Sequence, residues 1–112
     1  MTIEDFKHVN LKVISERTSD FSISGIIFLS VEYGIESDAG TYCFLSKWCK
    51  PPRIRRWLLS VNHKDFIYYP IEMSFEDIID RIRIFIYLEE NHVDPLYRIE
   101  IMRFAMEGAY ED

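Results

Sequence analysis

Glycine and proline are scarce in this 112-residue chain, with four of each. Their scarcity excludes collagen-like repeats and low-complexity disorder, which are rich in both. Long apolar runs are missing as well. The longest unbroken stretch of aliphatic and phenylalanine residues is Ile26 to Leu29, far below the ~18 residues a membrane-spanning helix needs. Cysteine occurs only at Cys43 and Cys49, too few for a disulfide framework. Residues Thr2 to Asp5 are acidic where a signal peptide would carry a basic region. The expectation is therefore reduced thiols in a cytoplasmic protein.

Sequence signatures of chemistry are also absent. Neither Gly-x-Gly-x-x-Gly nor Gly-x-x-x-x-Gly-Lys occurs, and four scattered glycines do not make a phosphate cradle. Ser22-Ile23-Ser24-Gly25 is not a nucleophile elbow. The cysteines stand six residues apart, not at zinc half-site spacing, and His8, His63 and His92 form no ligand pair. Acids are abundant, so a pair such as Glu76 and Asp80 carries no acid–base signal by itself. No cofactor, metal or catalytic residue is expected.

What is present in excess is aromatic side chains and segregated charge. Eight Phe, seven Tyr and two Trp make up 15% of the chain, enough for a large aromatic core and for anchors on a binding surface. The first 46 residues hold seven acids and three bases, and residues 47–64 hold six bases and no acid. The last 48 hold twelve acids and four bases, and the net charge is −6. Charge sorted in this way says more about partners than about fold.

Periodicity supplies the fold. Val9, Leu11 and Val13 alternate with polar residues, as a half-buried strand does. Asp20 to Tyr33 reads as one strand, bent at Gly25. Residues 34–40 read as a loop, Thr41 to Trp48 as the returning strand, and Pro51-Pro52 as an extended connection. Arg55 to Val61 and Phe66 to Tyr69 form a second hairpin across Asn62 to Asp65. After Pro70 the period changes to that of a helix. Ser74 with Asp77 resembles a capping box, and Phe75, Ile78, Ile79, Ile82, Phe85 and Ile86 share one side over 75–90. Asp94-Pro95 starts a second helix over 95–107, with Gly108 as its terminator. Arg81 to Tyr87 and Arg98 to Phe104 also alternate like strands, but the caps favour helices. The class expected is α+β, a single domain over 1–112. It has a mostly antiparallel sheet of four to five strands and two C-terminal helices packed on it. The expected core includes Val13, Phe28, Phe44, Trp57, Phe75, Ile78, Ile82, Phe85 and Ile99.

Two surfaces invite a partner. Trp48 and Trp57 flank Arg53, Arg55 and Arg56, an interleaving suited to single-stranded nucleic acid, although the acidic flanks would repel a polyanion. On the first helix Glu76, Asp80 and Tyr87 lie opposite the apolar stripe with Ile84 beside them, an acidic ridge suited to a basic protein. Glu32, Glu36 and Asp38 join it as expected partner-binding residues. The second helix is apolar on two sides, through Ile99, Met102 and Met106 and through Tyr97, Ile101 and Phe104, so it is sandwiched or docked on another chain. The leading expectation is an acidic, protein-binding protein. Its most economical form is an inhibitor that blocks the basic site of a nuclease-type toxin, acids standing in for phosphates. In size, acidity and lack of motif the chain is similar to bacterial toxin-immunity proteins. A nucleic-acid binder acting through residues 47–64, a non-inhibitory interaction module and an enzyme of unrecognised type are the alternatives.

Overall fold

The computed structural model describes residues 2–50, 54–64 and 66–110. A 3-10 turn, Ile3–Phe6, leads into five strands, β1 (Leu11–Ile23), β2 (Ile26–Ser37), β3 (Tyr42–Lys50), β4 (Ile54–Val61) and β5 (Phe66–Pro70). Two helices follow, α1 (Phe75–Glu90) and α2 (Pro95–Ala105). The strands form one antiparallel meander in sequence order. The α+β class, the five strands and the two C-terminal helices are as the periodicity predicts. Pro51-Pro52, Arg53, Asp65 and the side chain of Cys49, all invoked above, lie outside what is described.

The first strands differ from expectation. Ser24 and Gly25 are not a bend within one strand. Both take positive φ, 53° and 78°, the backbone of a two-residue hairpin turn that matches strand twist. β1 therefore runs back through the polar segment Ser15 to Ser19, which pairs with β2 residue by residue after a bulge between Val13 and Ser15. Residues 34–37 belong to β2, so the second turn is shorter than the loop expected. Gly34 lets the strands approach closely there, since a Cβ at this position would lie 2.4 Å from the Ser15 hydroxyl and require that side chain to turn away.

The helices begin as their caps direct. The Ser74 side chain accepts the Asp77 amide at 3.1 Å, and Asp94 accepts the Leu96 amide at 3.0 Å with Pro95 opening α2. The sheet face toward them carries Ile35, Cys43, Leu45, Trp57, Leu59, Val61 and Tyr69. These join Ile78, Ile79, Ile82, Phe85 and Ile86 of α1 in one buried cluster. Trp57 ties the sheet to the approach of α1 by donating Nε1–H to the Met73 carbonyl at 3.0 Å.

Two expected core residues are outside the core. Val13 is 45% exposed because the edge of β1 extends past the helices, and Ile99 is 58% exposed because α2 turns a different stripe inward, Ile101 and Ala105. Phe44 and Phe75 are half-buried. Phe28 is buried, but on the far face of the sheet, where its ring meets Trp48 with centroids 6.2 Å apart.

α2 is fastened to the sheet by Tyr69, whose hydroxyl donates to the Ala105 carbonyl at 2.9 Å. Burial pushes this phenol well above its ordinary 10.0, outweighing the lowering effect of Arg81. A raised folded-state pKa means the contribution is whole below pH 10.0 and is lost as pH rises beyond it. Stability is expected to fall in that alkaline range. Tyr69→Phe should remove that part of the pH dependence and cost ~1–3 kcal/mol at neutral pH by orphaning the Ala105 carbonyl. Urea titrations at several pH values check both.

Ile82→Ala should lower stability by ~2–5 kcal/mol, since Ile82 is completely buried. Ile99→Ala should change it by less than ~1 kcal/mol, as surface substitutions do. Denaturant midpoints of the two variants give the comparison.

Candidate functional site

The acidic ridge does not survive as a free surface. The Asp80 side chain is only 15% exposed and is held by Lys7 at 2.8 Å and Arg83 at 2.7 Å. Ile84, expected on the surface, is fully buried. The helical period shows why: Ile84 lies on the side of α1 opposite Ile82, and that side is closed from both flanks. The 3-10 turn brings Phe6 and α2 brings Phe104, with ring centroids 6.5 Å apart. α1 is thus covered nearly all round, as a helix apolar on two sides demands. Glu76 alone remains exposed at the start of the ridge.

Glu32 and Glu36 point elsewhere. Their strand parity places them on the face of the sheet away from the helices. There Glu32 pairs with Arg17 at 2.5 Å, beside a shallow depression lined by Ser15, Gly34, Tyr42 and Phe44.

Tyr87 and Asp38, by contrast, come together. They line a hollow of about 280 Å³ with His8, Val9, Asn10, Ser37, Ala39, Glu90 and Asn91. Three pieces of chain build it: the lead into β1, the turn between β2 and β3, and the last turn of α1. Each wall is fixed by its own contacts. Tyr87 packs edge-on against Phe6 at 5.4 Å and against His8 at 6.0 Å. Asn10 donates to Asp38 at 3.0 Å. The Ser37 hydroxyl donates to Glu90 at 2.5 Å and accepts the Thr41 amide, so one buried serine locks the turn to the helix. Asn91 caps α1 by donating through its side chain to the Tyr87 carbonyl at 2.9 Å.

The electrostatics of the hollow have one sign. Asp38 and Glu90 each accept one hydrogen bond from a neutral donor, and neither has an ion pair among the described residues. A carboxylate has about four acceptor positions, so both keep capacity to spare. The C-terminal end of α1 adds its own partial negative charge. A cation-bearing side chain suits such a place, and the volume holds one lysine or arginine side chain.

Three of the six bases of residues 47–64 have partners within the fold. The Arg56 guanidinium lies 5.0 Å from the Trp48 ring and 4.5 Å from that of Tyr68. Lys47 stands 5.2 Å over Trp57, and Lys64 pairs with Glu89 at 3.1 Å. Arg55 is exposed. Among the described residues no group of acids, histidines and cysteines is arranged to hold a metal ion. No helix there is long and apolar enough to cross a membrane.

Sequence reasoning found two of the hollow's members and missed His8, Asn10, Glu90 and Asn91. Asn91 was legible as a helix stop, and Glu90 beside it shares the hollow. The lead into β1 carries no such signal, because only the closure of the N-terminus over α1 brings His8 and Asn10 there.

Cys43 is fully buried, and burial pushes its thiol far above the ordinary 9.0. A thiol kept protonated and covered is unreactive. Iodoacetamide is expected to leave Cys43 unlabelled in the native protein and to modify it once denaturant unfolds the sheet, as peptide mass analysis will show.

No protein-family model, no curated protein and no solved structure matches this chain.

Proposed function

We propose that this is a cytoplasmic protein-binding protein that captures a basic partner. Its hollow, walled by Asp38, Glu90, Tyr87 and His8, receives a lysine or arginine of that partner. The observation that carries the reading is the pair of carboxylates, without ion pairs among the described residues, in a pre-formed depression at the negative end of α1. A buried charge pair with a well-packed aromatic beside it is the kind of contact that dominates binding energy. The net charge of −6 would speed the encounter with a basic surface. The most economical partner is the basic active site of a nuclease-type toxin, which makes the protein an inhibitor of the immunity kind. Capture of Lys47, Arg56 and Lys64 by rings and acids within the fold favours this over nucleic-acid binding through the same segment.

The test uses a basic nuclease encoded next to this protein's gene. Its activity should fall as the wild-type protein is titrated to equimolar amounts. Asp38→Lys should weaken binding about tenfold or more, chiefly through a slower association that high salt masks. Glu90→Gln, which keeps an acceptor for Ser37, should weaken it less. Glu76→Lys, on the exposed first turn of α1, should have only a small effect. Unchanged inhibition by Asp38→Lys removes the hollow from the reading. Failure of the wild-type protein to bind such a nuclease removes the function.

A further inference from the structure

α2 is docked on one stripe and bare on the other. Inward, Ile101 and Ala105 are buried, and Arg98 reaches the Leu88 carbonyl at 3.1 Å. Outward, Leu96 is 78% exposed, Ile99 58% and Met106 39%. With Arg103 between Ile99 and Met106, these residues recur every three or four positions. That is the seam of a two-helix contact. A solvated helix face has no need of three such side chains in one line.

Charge decides what covers this line. Glu100 and Arg103 border it on the outward side, both exposed, and neither has an ion pair among the described residues. Glu107, also exposed, lies by Arg103 on its other side, but Glu100 and Arg103, three residues apart, can still satisfy each other across a two-fold axis. Running α2 antiparallel to a second α2 brings Leu96 against Met106 of the second copy at each end. In the middle, Arg103 falls beside Ile99 and Glu100 of the second copy, twice. A parallel arrangement would set Arg103 against Arg103 and Glu100 against Glu100. A strongly basic partner, in turn, would meet Arg103 at the centre of the seam.

We infer that the outer stripe of α2 is a homodimer interface, antiparallel to α2 of a second copy. Leu96–Met106 contacts close its ends, and two Arg103–Glu100 ion pairs specify its register. The 11-residue helix is ~16 Å long, so the contact belongs to the low end of stable interfaces and association depends on concentration. The surface is distinct from the acidic hollow, so this inference stands or falls separately from the proposed function.

Sedimentation equilibrium of the whole protein tests it. The weight-average mass should climb from 13.4 kDa toward twice that value as concentration rises. Arg103→Glu should weaken dimerisation about tenfold or more through like-charge contact. Adding Glu100→Arg to it should restore association to within a few-fold of wild type. Leu96→Asp should give a monomer. All three positions are exposed, and an unchanged circular dichroism spectrum confirms that each variant folds. A monomer at every concentration overturns the inference. So does a dimer indifferent to Leu96→Asp and Arg103→Glu, which would place the contact elsewhere. Failure of the exchanged charges to restore association would overturn the antiparallel register.

Discussion

The rest of this structure depends on the need to bury α1 from every direction. A helix with apolar residues at both Ile82 and Ile84 cannot be satisfied by a sheet alone, since one sheet covers one stripe. The meander supplies the floor. Phe6 on one flank and Phe104 on the other supply the cover. Once those two rings meet over α1, Lys7 is delivered to Asp80, Val9 to Arg83, and His8 to Tyr87. The acidic hollow is the by-product of that closure. Its walls belong to three elements that have no other reason to meet.

The same constraint explains how the charges are distributed. Acids that face α1's neighbours are matched by a base, as Asp80 is by Lys7 and Arg83, and Glu89 by Lys64. On the far side of the sheet the Arg56 guanidinium lies against indole and phenol rings, where the ring quadrupole offsets the lost hydration. Two of the acids without an ion pair among the described residues, Asp38 and Glu90, sit where elements end, at the β2–β3 turn and the last turn of α1. Two carboxylates far apart in sequence are thus brought to one hollow, which a count of acids along the chain does not reveal.

Much of the fold was legible in the sequence because it rests on local signals. Ser74 and Asp94-Pro95 mark helix starts through backbone hydrogen bonds that form within a few residues, and the change of period after Pro70 marks the change from sheet to helix. The first hairpin was misread for a local reason as well. Ser15 to Ser19 has no alternating apolar face, since this part of β1 pairs at an exposed edge, and Ser24-Gly25 looks like a kink until both residues are seen at positive φ. The candidate site was harder to read because it is not local. Exposure of Ile84 followed from considering α1 with one neighbour, and it was overturned by two further neighbours distant in sequence. Glu32 and Glu36 were grouped with Asp38 by proximity along the chain, although strand alternation sends them to the opposite side of the sheet.

The meeting of Phe6 with Phe104 also sets the order of events during synthesis. These rings stand near opposite ends of the chain, so the cover over α1 cannot close on the ribosome until α2 has emerged. The meander can pair earlier, since each of its strands needs only the one before it. A nascent chain therefore carries a formed sheet while the Ile84 side of α1 is still bare, a state in which it is open to chaperones and to misassembly. Shortening the chain before α2 would leave the Ile84 side of α1 without its Phe104 flank.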